Sequence, residues 1–370
     1  MLKVSCPQHD LAEMVSIVAR GVSGRSTQPI QSNVLLEAKE GTLRLAASDL
    51  EYLNIEGVLP VDVVEEGSTT VPADKLVEIM ARLASSDVRL TAKENYGMNI
   101  TCGRAVFDLP GKPSSDFATL PPAVDAFSFE LPQAGLRQLL QRTVFATSRD
   151  ESRPILTGAL FRLSTGQIEV VATDTYRLAL QTLEAPSLEM PESRSVILSR
   201  QALAEVLKIL GHSDEPVTVS ISDSQAEFAL PAVKLATRLI EGQFVNYGKV
   251  VPSGFQRRLI CDRQELADAL ARAVIIAKDD NNRVVLRTDD GSLRITAEAP
   301  DRGEVEEIVS IKLEGEDIEI AFNARYMLDM LEAIDTAEVA MELSGQLNSG
   351  ALKPVGDDSY LYVLMPMQIM

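Results

Sequence analysis

"TLRLAASDLE" at Thr42–Glu51, "QIEVVATDTY" at Gln167–Tyr176 and "SLRITAEAPD" at Ser292–Asp301 share one pattern. In each stretch, apolar residues alternate and then give way to small, hydroxyl or acidic residues, which is typical of a β-strand that runs into a turn. The three stretches begin at positions 42, 167 and 292, so the two successive intervals are both 125 residues. A strand and turn that recur at one interval indicate a chain of repeated domains.

The repeat extends beyond these strands. "CPQHDL" at Cys6–Leu11 and "LPQAGL" at Leu131–Leu136 are again 125 residues apart, and "CDRQEL" at Cys261–Leu266 follows 130 residues later. We therefore predict three homologous domains, at residues 1–125, 126–254 and 255–370.

Each domain carries two apolar stripes of helical period, and short alternating segments lie between them. The alternation predicts antiparallel sheets, so the expected fold class is α+β, with two helix-plus-antiparallel-sheet units in each domain. The predicted helices cover residues 9–20, 73–83, 133–146, 200–210, 263–277 and 324–334.

The composition indicates a folded, soluble protein. Of 370 residues, 45% are hydrophobic and 24% charged, and no apolar run reaches the length of a membrane span. The first residues, "MLKVSCPQHD", lack the basic start and apolar core of a signal peptide. We expect a cytoplasmic protein without a membrane partner.

The chain offers little for catalysis. Its three cysteines and two histidines are scattered, and neither GxxxxGK[ST] nor GxGxxG occurs, so we expect no metal site, no cofactor and no catalytic residue. A hydrolase or transferase that uses Asp49 and Asp174 as paired carboxylates is one alternative, but the third repeat has Ala299 in that register. We therefore interpret both aspartates as hydrogen-bond acceptors in turns. A purely structural repeat protein is the other alternative.

The net charge of −19 argues against simple binding of nucleic acid. The acidic excess nevertheless falls in the predicted strands and loops, whereas the predicted helices are nearly neutral and carry Arg and Lys on part of their faces. Such residues are equally typical of ordinary solvated helices.

Three further motifs identify a family resemblance. "VATDTYRL" at Val171–Leu178, "FNARYMLDML" at Phe322–Leu331 and the terminal "YVLMPMQI" at Tyr362–Ile369 closely resemble the bacterial replicative sliding clamp, the beta subunit of DNA polymerase III. The resemblance covers the whole chain. It implies the DNA-clamp fold, in which each chain forms half of a closed ring and two chains join head to tail.

In that family the ring encircles double-stranded DNA without sequence preference and is a non-catalytic processivity factor. The implied partners are the DNA polymerase III catalytic subunit, the clamp loader, and other polymerases and repair proteins that carry a clamp-binding peptide. Geometry independently favours two chains. Six lining helices about 10 Å apart would leave no room for a duplex, whereas twelve leave a hole of about 28 Å.

The resemblance also implies a groove that binds partner peptides through apolar anchors. The sequence departs from the family pattern at Tyr176, Val245, Lys249 and Gln368, which leaves the peptide preference open. A buried final strand is the alternative interpretation of "YLYVLMPM", but Pro366 is expected to end that strand and leave Met367 onward free to form a wall. The implied groove residues are Leu156, Thr173, Tyr176, Arg177, Leu178, Val245, Lys249, Val250, Asn323, Tyr326, Leu347, Val363, Leu364, Met365, Pro366 and Met367.

Two more sets of residues follow from the resemblance. For the dimer interface it points to Phe107 and Leu109 in the first domain and to Ile275 and Ile276 in the third, although all four residues could equally belong to domain cores. For DNA contact it points to basic residues of the helices and of the loops after them: Arg20, Arg25, Lys75, Arg137, Arg142, Arg149, Arg153, Arg200, Lys208 and Lys278.

Overall fold

The computed structural model describes residues 2–22, 28–50, 52–186, 188–190, 192–300 and 302–369. The chain divides into two compact units. Unit 1 consists of Met1–Ala134 with Gln201–Leu239, and unit 2 consists of Gly135–Arg200 with Ile240–Met370.

Six α-helices lie within the described ranges, and each coincides with a predicted one. Local sequence explains several of their starts: Asp262 and Asn323 cap two helices with their side chains, and Pro7 and Pro72 immediately precede two others. The helices are α1 Gln8–Val18, α2 Ala73–Met80, α3 Gln133–Thr143, α4 Arg200–Ile209, α5 Arg263–Ala277 and α6 Ala324–Ala333.

The strands occupy the segments between the helices. The first thirteen are β1 Lys3–Pro7, β2 Asn33–Lys39, β3 Thr42–Ser48, β4 Asn54–Pro60, β5 Asp62–Glu65, β6 Gly67–Pro72, β7 Asp87–Ala92, β8 Met98–Cys102, β9 Ala105–Leu109, β10 Phe127–Pro132, β11 Gly158–Ser164, β12 Gly166–Thr173 and β13 Arg177–Ala185. The others are β14 Arg194–Ser199, β15 Pro216–Ile221, β16 Gln225–Ala229, β17 Val233–Arg238, β18 Arg257–Asp262, β19 Arg283–Asp289, β20 Ser292–Ala299, β21 Gly303–Ser310, β22 Lys312–Glu314, β23 Glu319–Asn323, β24 Glu338–Leu343, β25 Gly350–Pro354 and β26 Tyr360–Leu364.

Unit 1 contains two antiparallel sheets. One has the strand order β5-β1-β7-β8-β9, and the other has the order β10-β15-β16-β17-β4-β3-β2-β6. Helix α1 packs on β4, where Gly57 allows close approach: a Cβ at that position would lie 2.1 Å from the Sδ of Met14.

Unit 2 contains a nine-stranded sheet, in the order β14-β11-β12-β13-β26-β25-β24-β18-β22, and a four-stranded sheet, in the order β21-β20-β19-β23. Helix α5 packs on β20 and β21 of the smaller sheet and also contacts α6.

The three stretches that reveal the repeat form β3, β12 and β20, and each of these strands has a paired neighbour on both sides. Their alternating apolar residues are buried, as the pattern predicts. The predicted α+β class with antiparallel sheets is therefore confirmed. No helix in the described part of the chain combines the length and apolar character needed to cross a membrane.

Candidate partner groove, DNA-facing residues and edge strands

The candidate partner groove lies in unit 2, where β13 pairs with β26. Leu178 lies opposite Val363 in the register, and Arg177 lies opposite Leu364. Because neighbouring residues of a strand point to opposite faces of the sheet, these two pairs define two faces. We call the face with Leu178 and Val363 the groove face, and the face with Arg177 and Leu364 the helix face.

The groove face carries a buried apolar cluster of Leu160, Val171, Leu178, Ile197 and Val363. Side chains from the segment 240–251 pack against this cluster, together with partly buried residues of the strands. These surrounding residues are Ile155, Leu180, Ile240, Phe244, Tyr247 and Leu361.

Several of the implied groove residues have exposed apolar side chains. Val245 is 37% exposed, Val250 41% and Met365 42%. Large apolar side chains that stay exposed beside an apolar sheet face indicate a binding surface. The arrangement suits an extended peptide with apolar anchors.

The turn between β12 and β13 is built by local hydrogen bonds. The Thr173 hydroxyl donates to the Arg177 carbonyl at 2.6 Å and accepts from the Thr175 N–H at 3.1 Å. Asp174 Oδ1 accepts from the N–H groups of Tyr176 and Arg177, each at 3.0 Å. In unit 1, Asp49 Oδ1 likewise accepts from the N–H groups of the third and fourth residues after it, both at 2.8 Å. The interpretation of both aspartates as turn acceptors is confirmed.

Arg177 is held from several sides on the helix face. Its guanidinium donates to Asp174 at 3.0 Å, to Asp329 at 2.6 Å and to the Phe145 carbonyl at 2.9 Å. It also lies over the Tyr326 ring, 4.2 Å from the centroid. Only 9% of the residue is exposed, so the guanidinium fixes the start of β13 against α6.

Burial by itself lowers the pKa of the Arg177 guanidinium, but the neighbouring Tyr362 hydroxyl and Asp329 carboxylate outweigh burial and raise that pKa overall. Arg177 therefore keeps its charge, as its two carboxylate partners require.

Asn323 caps the start of helix α6, and Tyr326 lies in the first turn of that helix. The Asn323 side-chain oxygen accepts from the N–H groups of Arg325 and Tyr326, and its amide nitrogen donates to the Asn281 carbonyl at 3.1 Å. Burial, followed by the negative charge of Asp174, raises the pKa of the Tyr326 hydroxyl. Asn323 is thus occupied as a helix cap, a role that the sequence pattern does not distinguish from ligand contact.

The C-terminal residues after β26 are held by backbone hydrogen bonds. The Met365 N–H donates to the Tyr176 carbonyl at 2.9 Å, and the Met367 N–H donates to the Ala321 carbonyl at 2.8 Å. Arg283 donates to the Gln368 carbonyl at 3.1 Å. The expectation that Pro366 ends the strand agrees with the end of β26 at Leu364. Met367 forms a bridge with β23, which holds its backbone, and the expectation that Met367 onward forms a wall of the groove stays a prediction.

The remaining implied groove residues are spread more widely. Leu156 is buried, Leu364 is buried on the helix face, and Lys249 is exposed in the segment 240–251. Tyr176 is 63% exposed, and Leu347 is 81% exposed in the loop between β24 and β25.

The implied set does not include the six partly buried side chains around the cluster. The alternation of Leu178 with Leu180 and of Leu361 with Val363 could have identified two of them, because residues two apart in a strand share a face.

The basic residues expected at DNA differ in their surroundings. Lys75 pairs with Glu78, Lys208 with Glu205 and Arg153 with Asp150, and each pair lies three residues apart along the chain. Arg137 also has an interaction partner. Arg25 lies outside the described residues.

The surroundings of Arg142 contradict the expectation that it contacts DNA. Its side chain is 5% exposed and donates to Asp357 at 2.6 Å and to Gln181 at 3.0 Å. It also stacks over the Tyr360 ring at 5.5 Å. A guanidinium that is buried and fully engaged within unit 2 is not available to a DNA phosphate.

Arg149 and Arg200 form a basic pair in unit 2, and neither has a carboxylate partner among the described residues. Burial, together with the positive charges of Arg149 and Arg177, lowers the pKa of Arg200. Arg20 and Lys278 likewise lack a described carboxylate partner, and Nη1 of Arg20 is buried without a hydrogen bond in the described structure. Contact of these side chains with DNA phosphates stays a prediction; Arg149 and Lys278 are the exposed ones among them.

The residues expected at a dimer interface lie on an edge strand of unit 1 and on a helix of unit 2. Phe107 and Leu109 belong to β9, which among the described strands pairs with β8 alone, and Phe107 is 39% exposed. In unit 2, Ile275 is 62% exposed near the end of α5, which packs on the edge strand β21. Ile276 is partly buried beside it. Exposed apolar residues along unpaired edges are typical of surfaces that pair with another chain.

Candidate catalytic chemistry is sparse in the described residues. They contain no group of three or more His, Cys, Asp or Glu side chains that could hold a metal ion. Cys6, Cys102 and Cys261 are free and buried. Burial, followed by nearby carboxylates, raises the pKa of Cys6 to about 11 and that of Cys261 to about 12, so these two thiols are poor nucleophiles.

Comparison with known proteins covers the whole chain. Family models of the DNA polymerase III beta subunit match in three segments: the N-terminal domain at residues 2–121, the central domain at 130–246 and the C-terminal domain at 248–368. The chain is 32% identical over 359 residues to the beta sliding clamp of Staphylococcus aureus, covering 94% of each protein.

Two further similarities agree. The beta sliding clamp of Pseudomonas putida is 32% identical over 359 residues, which cover 97% of this chain and 98% of the relative. The crystal structure of a sliding clamp from Bartonella birtlesii bound to griselimycin superimposes with a TM-score of 0.92 at 32% identity, covering 100% of both chains. The chain therefore belongs to the family of bacterial DNA polymerase III beta subunits, the sliding clamps of DNA replication.

Proposed function

We propose that two copies of this DNA sliding clamp join head to tail into a ring around duplex DNA. The ring is a processivity factor without catalytic activity of its own, and it tethers the replicative polymerase to its template. Membership of the sliding-clamp family is the observation that carries the proposal. The three segments 1–125, 126–254 and 255–370 would act as homologous domains, and the ring would work in the cytoplasm.

The distribution of charge supports encirclement without tight binding. A chain with a net charge of −19 repels DNA from most of its surface, whereas Arg149, Arg200 and Lys278 offer a few positive charges that have no carboxylate partner among the described residues. Weak, screened contacts let the phosphates slide past, and the closed ring prevents the protein from leaving.

The edge strands support head-to-tail closure. Within the described residues, the β9 edge in unit 1 and the β21 edge in unit 2 each have backbone groups without a strand partner; Phe107 lies on β9, and Ile275 lies on the helix that packs on β21. Because these two surfaces differ, their contact is heterologous, and two such contacts close a ring of two chains.

The groove face supports recruitment of partners through an extended peptide. Apolar anchors such as Leu or Phe would bury themselves between Val245, Val250 and Met365, and each would contribute about 1.5 to 3 kcal/mol. The crystallised relative from Bartonella birtlesii binds griselimycin, so a clamp of this family does take up a ligand. The proposed partners are the polymerase III catalytic subunit, the clamp loader, and other polymerases and repair proteins with such a peptide.

Retention on DNA tests the proposal. After loading, the protein should stay on closed circular DNA in moderately high salt and should leave when the circle is cut. Equilibrium binding to short linear duplexes should be weak and strongly dependent on salt. Equal retention on linear and circular DNA would contradict encirclement.

A further inference from the structure

The segment 240–251 forms one side of the proposed groove, and its ends are anchored by different means. The Ile240 N–H donates to the Ile197 carbonyl at 2.9 Å. Gly242 has a φ of +134°, and a Cβ there would lie 2.8 Å from the Ile155 side chain, so only glycine fits. Beyond this point the chain turns at Tyr247, whose carbonyl accepts from the N–H groups of Val250 and Val251.

Tyr247 connects this segment to the sheet through its ring and through its hydroxyl. Its ring packs on the apolar cluster of the groove face, and its hydroxyl donates to Glu169 Oε1. Arg162 Nη1 donates to the same hydroxyl at 2.6 Å and to Glu169 at 3.0 Å. Arg162 and Glu169 lie opposite each other on β11 and β12, so the sheet fixes the pair that receives the hydroxyl.

The electrostatics agree with this arrangement. The hydrogen bond to Tyr247 raises the pKa of Arg162, and burial followed by the bond to Glu169 raises the pKa of Tyr247. The phenol therefore stays protonated and able to donate, and charge-assisted hydrogen bonds of this kind are stronger than neutral ones.

The first repeat contains the same pair with its charges interchanged. Glu37 lies opposite Arg44 on β2 and β3, and the two side chains are 3.1 Å apart. These positions are each 125 residues before Arg162 and Glu169. In the third repeat the paired positions are Arg287 and Arg294. The paired positions thus carry opposite charges in one order in the first repeat and in the other order in the second, where the pair also receives a tyrosine.

We infer that Arg162 and Glu169 are positioning residues for the partner groove: they clamp the Tyr247 hydroxyl and so hold the segment 240–251 over the groove face. The inference rests on the proposed function, because it concerns the peptide groove. Val245 and Val250 lie on either side of Tyr247 in the chain, so the clamp fixes both as one wall. Without it, a peptide has to order this wall when it binds, which lowers its affinity.

The variant Tyr247→Phe tests the clamp, because it removes the hydroxyl and keeps the ring on the cluster. We expect amide hydrogen exchange at Val250 and Val251 to accelerate in the free protein. The Kd of a fluorescein-labelled peptide containing Gln-Leu-x-Leu-Phe should rise at least about fivefold, because the variant removes both hydrogen bonds of the hydroxyl and one such bond contributes about fivefold. Arg162→Ala removes the bond from Arg162 but keeps the bond to Glu169, so it should change both readouts in the same direction by a smaller factor.

Two further variants separate positioning from general stability. The double variant Arg162→Glu with Glu169→Arg restores the pair in the order used by the first repeat, and the hydroxyl can donate and accept in either order. It should return the Kd and the exchange rates to within about twofold of the wild type, since one hydrogen bond contributes about fivefold. Arg44→Ala breaks the corresponding contacts in unit 1 and should leave both readouts in unit 2 unchanged.

Unchanged exchange and unchanged Kd in Tyr247→Phe would overturn the inference. So would a charge-swapped variant no tighter than Arg162→Ala. Failure of the wild-type protein to bind the peptide would instead overturn the groove assignment, and the exchange measurement, which needs no peptide, distinguishes the two failures.

Discussion

Arg142 and Arg149 stand seven positions apart, yet their surroundings give them different roles. Arg142 is buried against Asp357, Gln181 and the Tyr360 ring, whereas Arg149 is exposed. We expect Arg142→Ala to lower the free energy of unfolding by about 2 to 3 kcal/mol, below the range for a fully buried pair because the Asp357 side chain is 25% exposed. Arg149→Ala should change it by less than about 0.5 kcal/mol.

Urea denaturation followed by circular dichroism measures this difference, and DNA binding should show the reverse order. Arg149→Ala should weaken binding to a short duplex and reduce the salt slope by about one. Folded Arg142→Ala should bind the duplex like the wild type. Weaker DNA binding in folded Arg142→Ala would restore Arg142 to the DNA-contacting set.

Asp357 makes the same network sensitive to acid. Burial raises the pKa of its carboxyl, but hydrogen bonds from Ser359 and Arg142 outweigh burial and hold that pKa below its ordinary value of 3.8. The unfolded chain therefore takes up this proton at higher pH than the folded chain does. The stabilisation is complete above about pH 4 and declines as the pH falls below it.

The variant Asp357→Asn removes this titrating group. The difference in unfolding free energy between wild type and variant should be constant from pH 5 to pH 7 and should shrink below about pH 4. Thermal or urea melts across this range measure it. A difference independent of pH down to about pH 2 would contradict the assignment.

For single residues, the sequence shows a role better when the interaction partners are close in the chain than when they are far away in it. Asp174 is recognisable as a turn acceptor because its partners are two and three residues away. Arg142 is not recognisable as buried, because Asp357 lies 215 positions further along the chain. A helix pattern with several arginines shows which residues could meet DNA, but only the fold shows which one is already paired.

At the scale of elements, the C-terminal segment joins the two sheets of unit 2. It follows β26 of the nine-stranded sheet and forms a bridge to β23 of the four-stranded sheet through Met367. The intact protein should bind the clamp-motif peptide with a Kd near micromolar, which corresponds to a binding free energy of about −8 kcal/mol. Deleting Pro366–Met370 should abolish this binding. Loss of the Met367 hydrogen bond should also cost about 1 kcal/mol of stability.

A shorter deletion, Gln368–Met370, is the matched control, because it keeps the Met367 bridge. It should retain most of the peptide affinity and nearly all of the stability. Calorimetry with both truncated proteins gives the two affinities. Full peptide binding by the longer deletion would place the binding site elsewhere.

Elements were predictable where the pattern is local. The alternation in the opening stretches predicts β3, β12 and β20, and the apolar stripes predict all six helices. The pairing of Leu178 with Val363 was not predictable from alternation, because it joins strands far apart in the chain. The tail was only half predictable, since Pro366 signals the end of a strand but nothing in its neighbourhood shows that Met367 bonds to Ala321.

At the scale of the whole molecule, the repeat determines what one chain can enclose. Three repeats supply six helices within the described residues, and a circle of six helices about 10 Å apart leaves no space for a duplex. Twelve helices leave about 28 Å, which requires a second chain. The interval of 125 residues, read from sequence alone, thus supports the proposed dimer.

The double variant Ile275→Glu with Ile276→Glu tests this conclusion. Ile275 is 62% exposed beside the β21 edge, so glutamate there costs the isolated chain little, but burying two like charges against β9 of another chain would be strongly unfavourable. We expect folded monomers by light scattering at micromolar concentration, with a melting temperature close to that of a wild-type protein diluted to monomer.

Val124→Glu provides the matched control, since Val124 is 75% exposed and lies in neither edge strand. This variant should remain dimeric and stay on circular DNA after loading, whereas the double variant should lose retention together with dimerisation. If replacing Ile275 and Ile276 abolishes dimerisation and retention together, the contact that forms the dimer is also the contact that closes the ring. A double variant that stays dimeric would move the interface away from α5, and a wild-type monomer would remove the ring itself.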